Sequence, residues 1–394
     1  MTTKLRAASF QDNAVTTAKI AADAITNAKI ADDAIQTENF ASTINLGRRN
    51  IIINGAMQIA QRATSSTGLG AASGYFTLDR YYMVENEASA GRFTMSQSAV
   101  TDLEGFSNAL KIDCTTADTS IAAGEALILQ QNIEGFNLQQ LKATSTTTRA
   151  FTLSFYAKSN ASRVIATEIN FSNGTNKSAS KLHTIGTSWA RYTFTIPAAS
   201  STQVDNDNSN EMQVNFWLHA GSTFTSGTMS ASLEPITNAN RAVGIGSIFA
   251  STDNEIEITG IQLELGSTAT PFEHRSFGEE LRLCNRYYQE FNYDRHGYYV
   301  TNGGGASSSQ SKYVYTYYGG EMRATPSVST PSVSNGYRFL GSGNDHSHST
   351  IPNIDNPSRL SVQFGNNQNT ITAGNFFRLL LTTSGAKIKF DAEL

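Results

Sequence analysis

The chain has 394 residues, 39% of them hydrophobic and 16% charged, with seven prolines, two cysteines and a net charge of −4. That length leaves room for two or three domains, and the apolar content is ample for folding. The weak negative balance supplies no basic field for nucleic acid, and no window approaches the ~20 apolar residues of a membrane span.

The amino-terminal MTTKLRAASF carries no apolar run of the signal-peptide kind. With Cys114 and Cys284 far apart, the expectation is a soluble protein made in a reducing cytoplasm and released only by lysis. Residues 12–41 then place Val15, Ile20, Ile25, Ile30, Ile35 and Phe40 at a spacing of five, within near-copies of a ten-residue block. A helix would scatter these side chains around its axis, and a plain strand would send them to opposite faces. Short extended pieces bent once per block fit the pattern. One chain cannot bury six such groups, whereas three parallel chains can close a ring of Val or Ile at each layer. Residues 1–47 are therefore expected to form a trimeric stalk. A low-complexity linker is the other reading of the same composition.

Between about 48 and 275 the clearest segments alternate with period two. In FTLSFYAK, Phe151, Leu153 and Phe155 share a face; RYTFTI aligns Tyr192, Phe194 and Ile196; QVNFWL aligns Val214, Phe216 and Leu218. IEITGIQLEL shifts parity at Gly260, from Ile256 and Ile258 to Ile261, Leu263 and Leu265, which predicts a β-bulge there. Many short strands without a helical period give an all-β fold, a two-sheet sandwich of jelly-roll type. Such sandwiches often bind carbohydrate, although the fold alone does not establish it.

SFGEELRLCNRYYQEF (276–291) reads as a connecting helix, opened by Ser276 and Glu279 as a capping box, with Leu281, Cys284 and Tyr288 on one face and Glu279 able to pair with Arg282. Residues 292–394 form a smaller all-β region. Ten of the fifteen tyrosines lie between Tyr287 and Tyr337, and GGGASSSQS (303–311) reads as a flexible separator. Tyr313, Tyr315 and Tyr317 suit one packed strand face. Tyr298, Tyr299 and Tyr318 are the candidates for an exposed surface that stacks on sugar rings. The closing KIKFDAEL alternates through Ile388, Phe390, Ala392 and Leu394.

Several of these stretches resemble the tail fibres of tailed bacteriophages. The decamer repeat is similar to their stalks, and RRNIIINGAMQIAQR (48–62) with GYFTLDRYY (74–82) is similar to the opening of their sandwich domains. ITGIQLELGSTATPFEHRSFGEELRLCNRYYQ (258–289) and the terminal FDAEL (390–394) also resemble segments of such chains. The resemblance implies a homotrimeric fibre mounted on the virion, joined to tail or adaptor proteins. Its far end, residues 292–394, would bind host-surface polysaccharide or lipopolysaccharide. No binding residues carry over, because receptor contacts vary in that family. A long amino-terminal anchoring domain is not seen, so a peptide within 1–12 would dock, or an adaptor would grip the stalk.

No nucleophile elbow, phosphate loop, H-E-x-x-H or paired-cysteine signature is present, and GLGAASG (68–74) reads as a loop. No enzyme activity and no cofactor are expected. Glu255/Glu257 and Glu279/Glu280 would serve a glycosidase only if the fold gathered them. Asp205, Asp207 and Ser209 in DNDNSNE have the alternate spacing of a calcium loop without its glycine and distant glutamate, and read as a solvated loop. His346 and His348 in DHSH would face one way on a strand, where a threefold axis could gather imidazoles around a transition metal, although the flanks GSGND and ST read as a mobile loop.

Overall fold

Alternation decides the architecture. The computed structural model describes residues 48–394 apart from 88, 201, 297–298, 308–309, 317–319, 342–343, 349–350, 352 and 367–375. The predicted stalk positions Val15, Ile20, Ile25, Ile30, Ile35 and Phe40 lie outside the described residues. Residues 47–394 form one compact unit.

In chain order the first strands are β1 Ser65–Leu69, β2 Gly74–Tyr75, β3 Tyr82–Asn86, β4 Arg92–Ala99, β5 Asn108–Thr116, β6 Ala126–Glu134, β7 Lys142–Thr144 and β8 Thr147–Thr148. They continue as β9 Phe151–Ser159, β10 Arg163–Phe171, β11 Lys177–Ile185, β12 Ala190–Ile196, β13 Ala199–Ser200, β14 Asn210–Ala220, β15 Glu234–Pro235 and β16 Glu255–Leu265. Two antiparallel sheets result, ordered β1-β4-β5-β16-β9-β12 and β15-β11-β10-β14-β6-β3-β2, with β13-β8-β7 as a small third. The expected all-β sandwich is present.

The faces turned toward each other carry the predicted apolar sets. Phe151, Leu153, Phe155, Phe194 and Ile196 from the first sheet meet Val214, Phe216, Leu218, Ile165 and Phe171 from the second in one core. Phe155 and Phe216 cross edge-on with centroids 5.0 Å apart. Each such side chain contributes about 1.5–3 kcal/mol on burial. The register of β16 against β9 slips between Thr259 and Gln262, and Gly260 there has φ +60°. Ile256, Ile258, Ile261 and Leu263 thereby all enter the core. The predicted bulge is where the parity shift put it.

The helix is shorter than 276–291. It spans Phe277–Asn285, with the Ser276 hydroxyl accepting the Glu279 N–H at 3.4 Å. Glu279 pairs with Arg48 rather than Arg282. The aromatic pair at 287–288 then leaves the helix, because Tyr288–Asn292 finds a partner strand in Lys387–Asp391, far along the chain. The remaining strands are β17 Tyr288–Asn292, β18 Tyr299–Ser307, β19 Gln310–Thr316, β20 Ser327–Ser329, β21 Tyr337–Gly341, β22 Asn344–His348, β23 Asn353–Asp355, β24 Ser361–Asn366, β25 Phe376–Leu381 and β26 Lys387–Asp391. They form sheets ordered β17-β26-β20 and β22-β21-β25-β18-β19-β24-β23. GGGASSSQS is not a separator: most of it belongs to β18 and β19, which pair as Gly305↔Lys312 and Ser307↔Gln310. Ile388, Phe390 and Ala392 join Phe339, Val362, Phe364 and Leu379 in a second core.

Residues 48–62, 74–82, 258–289 and 390–394 meet at one place. Asn54 N–H donates to Glu280, and its side-chain amide donates to Ile59 O (2.8 Å) and Asp79 O (3.1 Å). Gln61 spans Asp79 and Tyr288 O. Arg275 donates to Ile52 O and Asn50 O. Arg80, fully buried and at φ +74°, lies 3.5 Å from the centre of the Tyr287 ring and pairs with Glu393. Arg62 lies 3.6 Å from the Tyr288 ring centre and pairs with Asp391 and Glu393. A bulky residue in the left-handed region persists only where its surroundings over-determine it. These four segments thus build a junction between the sandwich, the helix and β26.

Candidate functional site

On β14 the positions that alternate with the core are Gln213, Asn215, Trp217 and His219. Pairing extends each of them across the second sheet. Ser178, Asn170, Gln213 and Asn132 form one transverse row, and Ser180, Glu168, Asn215, Gln130, Tyr82 and Tyr75 form the next. Leu182, Ala166, Trp217, Ile128 and Val84 form a third, apolar row.

The middle of the apolar row is covered. The segment 221–250 leaves β14 and returns across it, so that Trp217, Ala166 and Ile128 pack with Phe224 and Ala242. A fully buried carboxylate, Glu168, anchors this cover. It accepts two bonds from Arg241 (2.8 and 2.9 Å), one from Asn215 (3.0 Å) and one from the Trp217 indole (2.9 Å). A buried charge persists only when so completely matched. On the other side the junction forms a second wall: Glu134 accepts two bonds from Arg286, and Asn132 and Tyr75 donate to Leu394 O.

The polar rows form the floor between these walls. Gln130 donates to Asn215 at 2.9 Å, Asn170 to Gln213 at 3.2 Å, and Asn210 to Asn132 at 3.1 Å. The carbonyl oxygens of Asn170 and Asn210 have no hydrogen-bond partner. Gln213, Ser178, Tyr82 and Tyr75 are half-buried and bring the floor to the surface. Tyr75 and Tyr82 sit with ring centres 4.8 Å apart at one end. At the other end Ser178, Ser180, Ser230, Glu234, Thr237 and Asn240 line a small pocket. Side-chain amides donate and accept at once, as sugar hydroxyls do, so the arrangement suits a polyhydroxylated ligand. None of these residues was singled out from the sequence. The signal was present in QVNFWLH and LQQN, where strand positions opposite the core are amides rather than Lys, Glu or Thr.

The residues singled out earlier are distributed otherwise. Tyr298 and Tyr318 lie outside the described residues. Tyr299 opens β18, its backbone paired with Leu380. Tyr313 and Tyr315 pair with Phe364 and Val362 on β24. DHSH is a strand rather than a loop: His346 and His348 alternate on β22 opposite Phe339 and Tyr337, and the His348 ring stands edge-on to Phe339 at 5.6 Å. Glu255 and Glu257 stay on the outer face of β16, where Glu255 pairs with Lys111 and Glu257 lies 4.0 Å from Lys158.

Among the described residues, the carboxylates close enough to share a metal ion are Asp205, Asp207 and Glu211. The loop is more closed than DNDNSNE suggests. Glu211 is buried and receives both the Asp205 N–H and the Asn173 amide, while Ser209 N–H donates to Asp207. Burial, then Asp205 and Asp207, push the Glu211 carboxyl up to about 7.

A second linked set joins Ser247 to His219 Nδ1 (2.7 Å) and His219 Nε2 to Glu125 (3.1 Å). The imidazole is fully buried against Phe249, and the Ser247 hydroxyl also accepts the Phe249 N–H. This chain fastens the return of the 221–250 segment. The outer face of the first sheet carries Phe106, Tyr156 and Phe272 packed together, with half-buried Trp189 bonded to Asp102 (2.8 Å) and beneath Lys158.

No protein-family model matches the sequence, and no curated protein matches it. Among solved structures the chain is similar to the enzymatically active domain of bacteriophage CBA120 tailspike protein 4. The TM-score is 0.28 at 14% identity over 55% of this chain, and the match spans 21% of that one. It is also similar to a family 11 carbohydrate-binding module of a Clostridium thermocellum cellulosomal cellulase (TM-score 0.26, 12% identity, 53% of this chain and 99% of that one). A third is the N-terminal cellulose-binding domain of Cellulomonas fimi β-1,4-glucanase C (TM-score 0.23, 14% identity, 43% and 88%). Likenesses at these scores carry no residue, ligand or activity over to this chain.

Proposed function

We propose that the chain is an adhesive tail-fibre protein of a bacteriophage, working as a homotrimer that holds host-surface polysaccharide or lipopolysaccharide without cleaving it. In this reading residues 1–47 form the stalk and dock on tail or adaptor proteins, and the sandwich presents the sugar contacts. The protein would be made in the bacterial cytoplasm and reach the virion before lysis. The observation that carries the adhesion is the amide and hydroxyl floor of the second sheet, walled on two sides and ending in paired tyrosines. The family resemblance of residues 48–62, 74–82, 258–289 and 390–394 supports the fibre. Three copies of one modest site would give firm attachment, since tethering turns later contacts into intramolecular ones.

Adsorption competition tests this. Purified protein at saturation should block phage adsorption to host cells, and unchanged adsorption would defeat the adhesive role. Incubation with host polysaccharide should leave its chain length intact, and shortening would replace adhesion by glycan cleavage.

A further inference from the structure

We infer that the floor of the second sheet takes a neutral, extended saccharide lying across the strands, about one sugar ring for each strand crossed. The inference rests on the adhesion reading and adds the ligand's charge, direction and length.

Charge follows from the bordering cations, which are already engaged. Arg241 is held by Glu168, Arg286 by Glu134 and Arg80 by Glu393. At the pocket end the charged residue of the lining is the exposed carboxylate Glu234. A uronate or sialate chain would meet no uncommitted cation here and would face that carboxylate. A neutral chain meets amides and hydroxyls.

Direction follows from the rows. Asn170 is 9% exposed, gives its Nδ2 hydrogen to Gln213, and leaves its side-chain oxygen buried without a partner. A ligand hydroxyl would satisfy it, and a buried acceptor gains most from such a bond. The groups in line with it lie on successive strands, not along one strand: Ser178 on β11, Gln213 on β14 and Asn132 on β6. The neighbouring row runs on to half-buried Tyr82, whose ring offers apolar surface to a sugar, backed by Tyr75, which packs against Tyr82 and the Arg62 guanidinium.

Length follows from spacing. Five inter-strand steps separate β11 from β2, about 24 Å in all. An extended pyranose chain advances by about one strand spacing per residue, so a chain of about five rings would reach from Ser178 over Gln213 to Tyr82 and Tyr75, the half-buried members of the rows.

The test is titration of the full-length protein with β-1,4-linked gluco-, galacto- and xylo-oligosaccharides of two to six residues, and with polygalacturonate. At least one neutral series should bind, its affinity rising to about five residues before levelling, with polygalacturonate weaker. Gln213→Ala should weaken that series about tenfold with the melting temperature kept. Should Gln213→Ala fold poorly, Ser178→Ala and Tyr82→Ala provide the same reading. Trp189→Ala, on the opposite sheet, should change nothing. A plateau at two residues, preference for polygalacturonate, or loss of binding on Trp189→Ala with the floor variants unaffected would each overturn the inference. Protein that blocks adsorption while binding none of the neutral series would also overturn it, and adhesion would stand. Protein that neither binds nor blocks adsorption would remove the adhesion reading itself.

Discussion

Replacing Glu393 by glutamine should destabilise the folded unit far more than any other single change at the chain's end. The Arg80 side chain is 1% exposed and that of Glu393 is 4% exposed, so both are removed from water. Arg80 also donates to Asn132 O and stacks on Tyr287, but Glu393 is the carboxylate paired with it. Arg62 contacts Glu393 at 3.4 Å and keeps Asp391 at 3.2 Å when Glu393 is changed. The loss therefore falls mainly on Arg80. Removing one partner of a buried pair leaves the other charge uncompensated, at a cost of about 3–5 kcal/mol. Asp391→Asn is the internal control. Its side chain is 39% exposed and Arg62 retains Glu393, so the change should be at most about 1 kcal/mol. Urea denaturation followed by tryptophan fluorescence, at one fixed protein concentration, reads both values. A second variant, Arg80→Met with Glu393→Met, should recover most of the loss, because apolar replacement of both partners removes the stranded charge. If Glu393→Gln and Asp391→Asn shifted the midpoint equally, the buried-pair argument would be wrong.

Gly260→Ala should destabilise by about 1–3 kcal/mol in the same assay: the position has φ +60°, and an added Cβ would meet Phe106 and Tyr156 at 2.8 Å. A neutral result would mean that the bulge tolerates a side chain. Glu211→Gln should flatten the dependence of stability on pH. The folded carboxyl is pushed up to about 7 against 4.5 unfolded, so the native state binds more protons in that interval and loses stability as pH rises through 7. Urea midpoints at pH 5 and pH 8 should therefore differ less in the variant, and an unchanged difference would clear Glu211 of the effect. Cys114 and Cys284 are both buried, and burial raises both thiol pKa values, so neither should react with a thiol reagent in the native protein. Labelling should appear only as urea unfolds the chain, and rapid native labelling of Cys284 would contradict its position on the buried face of the helix, packed with Ile53, Ile59 and Tyr287.

Local patterning carried the first level of this structure. Period-two alternation in 151–158, 191–196 and 213–218 named the core faces, because a strand has only two sides and the sheets bury one. The parity slip at Gly260 named a bulge for the same reason. Ser276 named the helix start, since its hydroxyl satisfies a free N–H within the same turn. The helix end was not legible: Tyr288–Phe291 has no local reason to leave a helix, and its reason is β26, about a hundred residues later. Likewise 303–311 has loop composition and becomes a hairpin because neighbouring strands complete the sheet.

Sequence by itself thus determined the clearest strands of the sandwich, their faces and the amide character of residues 130, 132, 170, 213 and 215. Only the tertiary structure decided that these amides form two continuous rows. That follows from pairing register, which aligns β11, β10, β14 and β6 across segments far apart in the chain. It also decided that Trp217 is covered while Gln213, four residues away on the same face, is half-exposed. The cover depends on Arg241 reaching Glu168, a contact between distant residues whose strength comes from their shared burial and not from anything in either local segment.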